Sequence, residues 1–93
     1  MTSDVPSSEN FEEDVVRSLL AEVLPGGAGT VTRLELDSSL RLAGLDSMRT
    51  IELLSALEDS FAIRFEEDDL RDEYFLNVAG LIALVIAKRT AGG

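Results

Sequence analysis

Fifteen consecutive residues, Ser47 to Phe61, contain no glycine or proline and carry apolar side chains at Met48, Ile51, Leu54, Leu57 and Phe61, with Leu53 beside them. Steps of three and four residues trace one face of an α-helix, here about four turns long. Such a helix must cover its apolar stripe with partners of similar length. The chain supplies two. One carries Phe11, Val15, Val16, Leu19, Leu20, Val23 and Leu24, and the other carries Val78, Leu81, Ile82, Val85 and Ile86. Only the run Val31-Thr32-Arg33-Leu34-Glu35-Leu36 alternates like a strand, and a lone strand has nothing to pair with. The sequence therefore predicts an all-α fold, a small three-to-four-helix bundle.

The boundaries follow from local chemistry. Asn10 is placed to cap the first helix, with Glu13 three residues on as in a capping box, and Pro25-Gly26-Gly27-Ala28-Gly29 stops it. From Thr30 to Leu45 the pattern is irregular. It reads as a long ordered loop between the first and second helices, pinned by Leu36, Leu40, Leu42 and Leu45. After the Ser47–Phe61 helix, Ile63 and Phe65 form an extended link, and Glu66 to Phe75 has room for one short helix with Leu70, Tyr74 and Phe75 facing in. Asn77 caps the last helix, and Lys88-Arg89 complements its negative end. The expected organisation is a disordered tail at 1–9, one domain at 10–89 and a flexible tail at 90–93.

Composition then narrows the function. A chain of 93 residues without His or Cys has no Ser-His-Asp triad, no thiolate nucleophile, no disulfide and no ordinary zinc site, so an enzyme is not expected. Eighteen Asp and Glu against eight Lys and Arg give a net charge of −10. That balance repels nucleic acid and anionic membrane surfaces and attracts basic proteins. Met1 to Asn10 has no secretory pattern. The uncharged run Val78 to Ala87 is about half of what a bilayer crossing requires. A cytoplasmic monomer is expected.

Three local features compete for a role. The acidic run Glu66 to Glu73 lacks the glycine and the ligand spacing of a calcium loop, so no metal site is expected and the run reads as a solvated face. The glycine run after Pro25 follows a helix and lacks the lysine of a phosphate loop. The third is Gly44-Leu45-Asp46-Ser47-Met48, where a loop turns into the strongest helix. Asp-Ser before a helix is by default only a cap.

In this setting, however, the chain resembles the acyl and peptidyl carrier proteins. The likeness runs from Asn10 to Arg89. It includes Leu40, Gly44-Leu45-Asp46-Ser47-Met48, Thr50-Ile51-Glu52-Leu53-Leu54, Leu57-Glu58-Asp59-Ser60-Phe61, Ile63 and the Val78/Leu81/Val85 pattern. The resemblance implies that Ser47 takes a covalent 4′-phosphopantetheine arm from coenzyme A by the action of a separate phosphopantetheinyl transferase. The arm's thiol would carry acyl or aminoacyl groups as thioesters between a loading enzyme and downstream synthase or tailoring enzymes. It further implies partner recognition by Asp46, Met48, Arg49, Glu52, Glu58 and Asp59, with Asp46 also a cap and Met48 open to either core or interface.

Arg49 stands where many fatty-acid carriers have an acidic residue, and Arg41 precedes the motif. Together with the longer Asp69 to Leu76 segment, this favours a discrete carrier of a polyketide, nonribosomal-peptide or related pathway. The competing reading is a small acidic helical adaptor that binds a basic partner without a prosthetic group. A small enzyme built on paired carboxylates is the poorest fit, because no such pair stands out from the exposed charge.

Overall fold

A computed structural model describes residues 8–92, with side chains from Phe11 to Thr90. Four α-helices follow one another: α1, Ser8–Val23; α2, Gly27–Arg33; α3, Ser47–Phe61; and α4, Val78–Gly92. Two 3-10 turns, Glu67–Asp69 and Asp72–Phe75, lie between α3 and α4. No strand occurs among the described residues, so the all-α bundle expected from the apolar spacing is what the chain forms.

The core is built by α1, α3 and α4. Val16 and Leu20 of α1, Leu53 and Leu57 of α3, and Val78, Leu81, Leu84 and Val85 of α4 are fully buried, together with Leu40 from the connection before α3. Burying such a side chain contributes roughly 1.5–3 kcal/mol relative to leaving it in water. Leu24, Val31, Leu45 and Phe61 close the edges.

Several local expectations are corrected. Helix α1 extends back through Asn10 to Ser8, so Asn10 is not its cap. Residues 1–7 of the expected tail lie outside the described residues, and α4 continues through 90–92, where a tail was expected. The segment after Pro25 is not loop throughout, because Gly27–Arg33 forms α2 against glycine's propensity. Tertiary contacts explain it. Val31 is buried, and Arg17 of α1 donates from Nη1 to the carbonyls of Leu34 at 2.8 Å and Val31 at 3.3 Å, placing a cation at the negative end of α2.

The rest of the connection is ordered, as expected. The amide of Leu40 donates to Leu76 O and that of Ala79 to Leu36 O, both at 3.0 Å, which ties it to the start of α4. Of the four leucines expected to pin it, only Leu40 and Leu45 are buried; Leu36 and Leu42 are exposed. The expected short helix at 66–75 is instead the pair of 3-10 turns, and Leu70 faces solvent. Gly80 lets the second turn pack closely, since a Cβ there would stand 2.8 Å from the carbonyl of Glu73 and 2.9 Å from that of Tyr74.

Polar contacts fasten the helices. Asn77 caps α4 by accepting from the Gly80 amide at 2.8 Å, as its sequence position indicates. Lys88 reaches Asp69 at 2.7 Å; that bond lowers the Asp69 pKa, with help from the Glu66 amide, and raises that of Lys88. Glu12 is 5% exposed and pairs with Arg89 at 2.6 Å, leaving its Oε1 without a partner among the described residues. The Arg89 guanidinium also lies over the rings of Phe11 at 5.6 Å and Phe61 at 5.5 Å, clasping α1, α3 and α4 together.

Candidate functional site

The Gly44-Leu45-Asp46-Ser47 segment resolves into two consecutive backbone devices. The first is a helix-like turn at residues 40–44, closed by the Leu45 amide on Leu40 O at 2.9 Å and the Gly44 amide on Arg41 O at 3.0 Å. These two bonds are the pair found at a Schellman stop, with Gly44 at φ +110° in the position that disfavours a side chain. Leu40 and Leu45, which such a stop brings together, are both buried. The second device begins one residue later. Asp46 adopts extended φ and ψ of −112° and −174°, and its Oδ1 accepts from the Arg49 amide at 2.8 Å, capping α3. The motif thus ends one turn and starts the next helix with no slack between them.

Ser47 is the first residue of α3 and is exposed. Beside it, Asp46 is occupied twice, since its Oδ2 also pairs with Arg49 Nη1 at 2.8 Å. The amide and guanidinium of Arg49 hold the Asp46 pKa below the usual carboxylate range, the amide hydrogen bond being the largest cause. Arg49 is therefore neutralised locally by Asp46, whereas Arg41 is an exposed cation with no ion pair among the described residues.

The other residues expected at the interface separate into different environments. Met48 is 71% exposed and so lies outside the core. Glu52 and Asp59 are exposed on α3. Glu58 is only partly exposed, and its Oε2 accepts from the Phe65 amide at 2.8 Å, holding the extended link after α3. Two apolar residues were missed. Ile51, assigned to the core stripe, is 65% exposed, and Leu42 is 88% exposed in the turn before Ser47. Periodicity alone does not show this, because both faces of α3 carry apolar residues at helical spacing. A hint lies in the steps Leu53, Leu57 and Phe61, four apart, which form a complete stripe without Met48 or Ile51.

The phosphodiester implied by the resemblance fits this end of α3. The hydroxyl is accessible, the first-turn amides of Ser47 and Met48 have no intrahelical acceptor, and the helix dipole presents its positive end. No group of His, Cys, Asp or Glu residues suited to a metal occurs among the described residues. No described helix is long and apolar enough to cross a membrane.

No curated protein matches the sequence. Among solved structures, the fold is similar to a chain in the crystal structure of an engineered Bradyrhizobium japonicum glycine:[carrier protein] ligase complexed with carrier protein from Agrobacterium tumefaciens and ATP. The likeness has a TM-score of 0.71 and 24% identity, and covers 82% of this chain and 97% of that one. Residues 14–85 match the family described as phosphopantetheine attachment site. That match takes in α2, α3 and most of α1 and α4. The chain therefore belongs to the phosphopantetheine-binding carrier proteins, which are not themselves enzymes and hold 4′-phosphopantetheine covalently.

Proposed function

We propose that Ser47 is the attachment residue and that the chain carries acyl or aminoacyl intermediates for a polyketide, nonribosomal-peptide or related pathway. The observation that carries this reading is the exposure of Ser47 at the first position of α3, directly after the Gly44 turn and the Asp46 cap. In the attachment reaction the Ser47 Oγ attacks the β-phosphorus of coenzyme A and adenosine 3′,5′-bisphosphate leaves. The hydroxyl proton goes to a base on the transferase, since this chain has no His and the carboxylate adjoining Ser47 in the chain, Asp46, is engaged by Arg49. The bound group supplies the thiol that holds cargo as a thioester.

The face of α3 around Ser47 is suited to brief docking. Met48 and Ile51 are exposed apolar anchors, Glu52 is an exposed acid, Arg41 adds a cation, and Asp59 is a further exposed acid near the far end of α3. Exposed charges mainly set encounter rate and partner choice, as a shuttle requires. The fold likeness to a structure containing a glycine:[carrier protein] ligase supports a loading enzyme of the aminoacyl type among the partners. Action as a monomer in the cytoplasm belongs to the same proposal.

Incubation with coenzyme A and a broad-specificity phosphopantetheinyl transferase tests the assignment by intact mass. One addition to the wild-type chain and none to Ser47→Ala is expected. A wild-type chain that takes no group, or a Ser47→Ala chain that does, overturns it; the first result would favour the acidic adaptor.

A further inference from the structure

Gly44 lies against the turn that ends α1. A Cβ built on it would stand 2.7 Å from both Cδ and Cγ of Pro25, inside any tolerable contact. Pro25 is itself fixed: Leu24 before it is buried, and its carbonyl accepts from Thr30 Oγ1 at 2.7 Å. The pyrrolidine ring has no free backbone φ. A rigid ring held on α1 and α2 is therefore in contact with the residue that closes the turn three positions before Ser47.

We infer that Pro25 is a positioning residue for Ser47, its ring being the surface on which the Gly44 turn closes. The inference rests on Ser47 as the attachment residue and adds what sets its place. Pro25 is exposed, so removing its ring takes little from the core. What it removes is a stop. Without it the Gly44 turn samples wider φ, and Asp46 and Ser47 move with it. Gly44→Ala does the reverse, forcing the two segments apart and straining a residue at positive φ.

The test is a double-mutant cycle on Pro25→Ala and Gly44→Ala, read by the kinetics of phosphopantetheine transfer, by amide exchange and by thermal unfolding. Pro25→Ala is expected to lower kcat/KM for transfer about tenfold, a size ordinary for lost positioning, with the unfolding midpoint nearly unchanged. Exchange at the Leu45 amide, bonded to Leu40 O, should quicken about tenfold while the Leu57 amide keeps its protection. Gly44→Ala should lose more activity, and adding Pro25→Ala to it should restore part, so that one substitution slows the wild type and speeds the variant. Wild-type kinetics and Leu45 exchange in Pro25→Ala, or strictly multiplicative effects in the pair, overturn the inference. If the wild-type chain takes no group at Ser47, it is the attachment reading that fails, and Leu45 exchange still decides whether Pro25 braces the turn.

Discussion

The two halves of α3 have similar apolar content and opposite fates. From the middle of the helix to its C-terminus, Leu53, Leu57 and Phe61 are buried against α1 and α4, and Phe61 packs edge-on to Phe11 with centroids 6.1 Å apart. Toward the N-terminus, Met48 and Ile51 stand in solvent beside Ser47. Helical spacing makes both sets look like core. The difference teaches that apolar residues near Ser47 stay exposed because the bundle has already closed without them. The helix is anchored at one end and displayed at the other.

The contrast can be tested first where it is largest. Leu57→Ala should lower unfolding free energy in urea by about 3 kcal/mol, whereas Ile51→Ala should change it by less than about 0.5 kcal/mol. Equal losses would erase the distinction between the halves. Ile51→Ala should instead slow processing by a partner enzyme that Leu57→Ala, once folded, still engages.

The anchored end has a second support in the Arg89 clasp. Arg89→Ala strands the buried Glu12 carboxylate and removes the cation from two aromatic faces. A loss of about 2 kcal/mol is expected, below the usual figure for a broken buried pair because Arg89 is itself partly exposed. Replacing Glu12 and Arg89 together by Met should recover much of it. A single substitution without effect would show that packing alone holds this end.

Smaller again is the C-terminal cap of α3. Ala62 adopts φ 55° and ψ 47°, a left-handed conformation that costs a residue with a Cβ about 1 kcal/mol or more. Ala62→Gly should therefore raise the unfolding midpoint, the gain in conformational fit outweighing the added freedom of the unfolded chain.

The smallest effect is electrostatic and distinguishes the N-terminal cap. Asp46 has a folded pKa below its ordinary value, so its ionised cap stabilises the protein above about pH 4 and is lost as pH falls through the lower folded value. Urea titrations of the wild type and Asp46→Asn should differ at neutral pH and converge in acid. The comparison cancels the opposing relief of the −10 charge as carboxylates protonate. Asp69 behaves alike in acid. Lys88, whose pKa is raised, contributes fully below about pH 10.5 and loses its share as pH rises through the folded value.

Much of the fold was legible because it depends on local pattern. The span Ser47–Phe61 was read to the residue, since Asp46 and the absence of internal Gly or Pro mark both ends. Asn77 was read as a cap for the same reason. Helix α2 was not legible, because its glycines disfavour it and the groups that hold it, Arg17 and the pocket for Val31, come from elsewhere in the fold. At the start of α3, the Asp46 cap and the place of Ser47 at the first helical position could be read from sequence, but the engagement of Glu58 with Phe65 and the exposure of Ile51 could not. Those depend on how a helix is rotated about its axis.

The sequence by itself determined three helices with apolar stripes, a chain without histidine or cysteine, and a serine at a helix start. These follow from residue type and spacing, which act over one or two turns. Only the tertiary structure decided which face of α3 is core, that a glycine-rich segment is helical, that Glu12 is buried under Arg89, and that Pro25 stands against Gly44. Each of these depends on groups far apart in the chain competing for the same volume, and that competition is settled by packing.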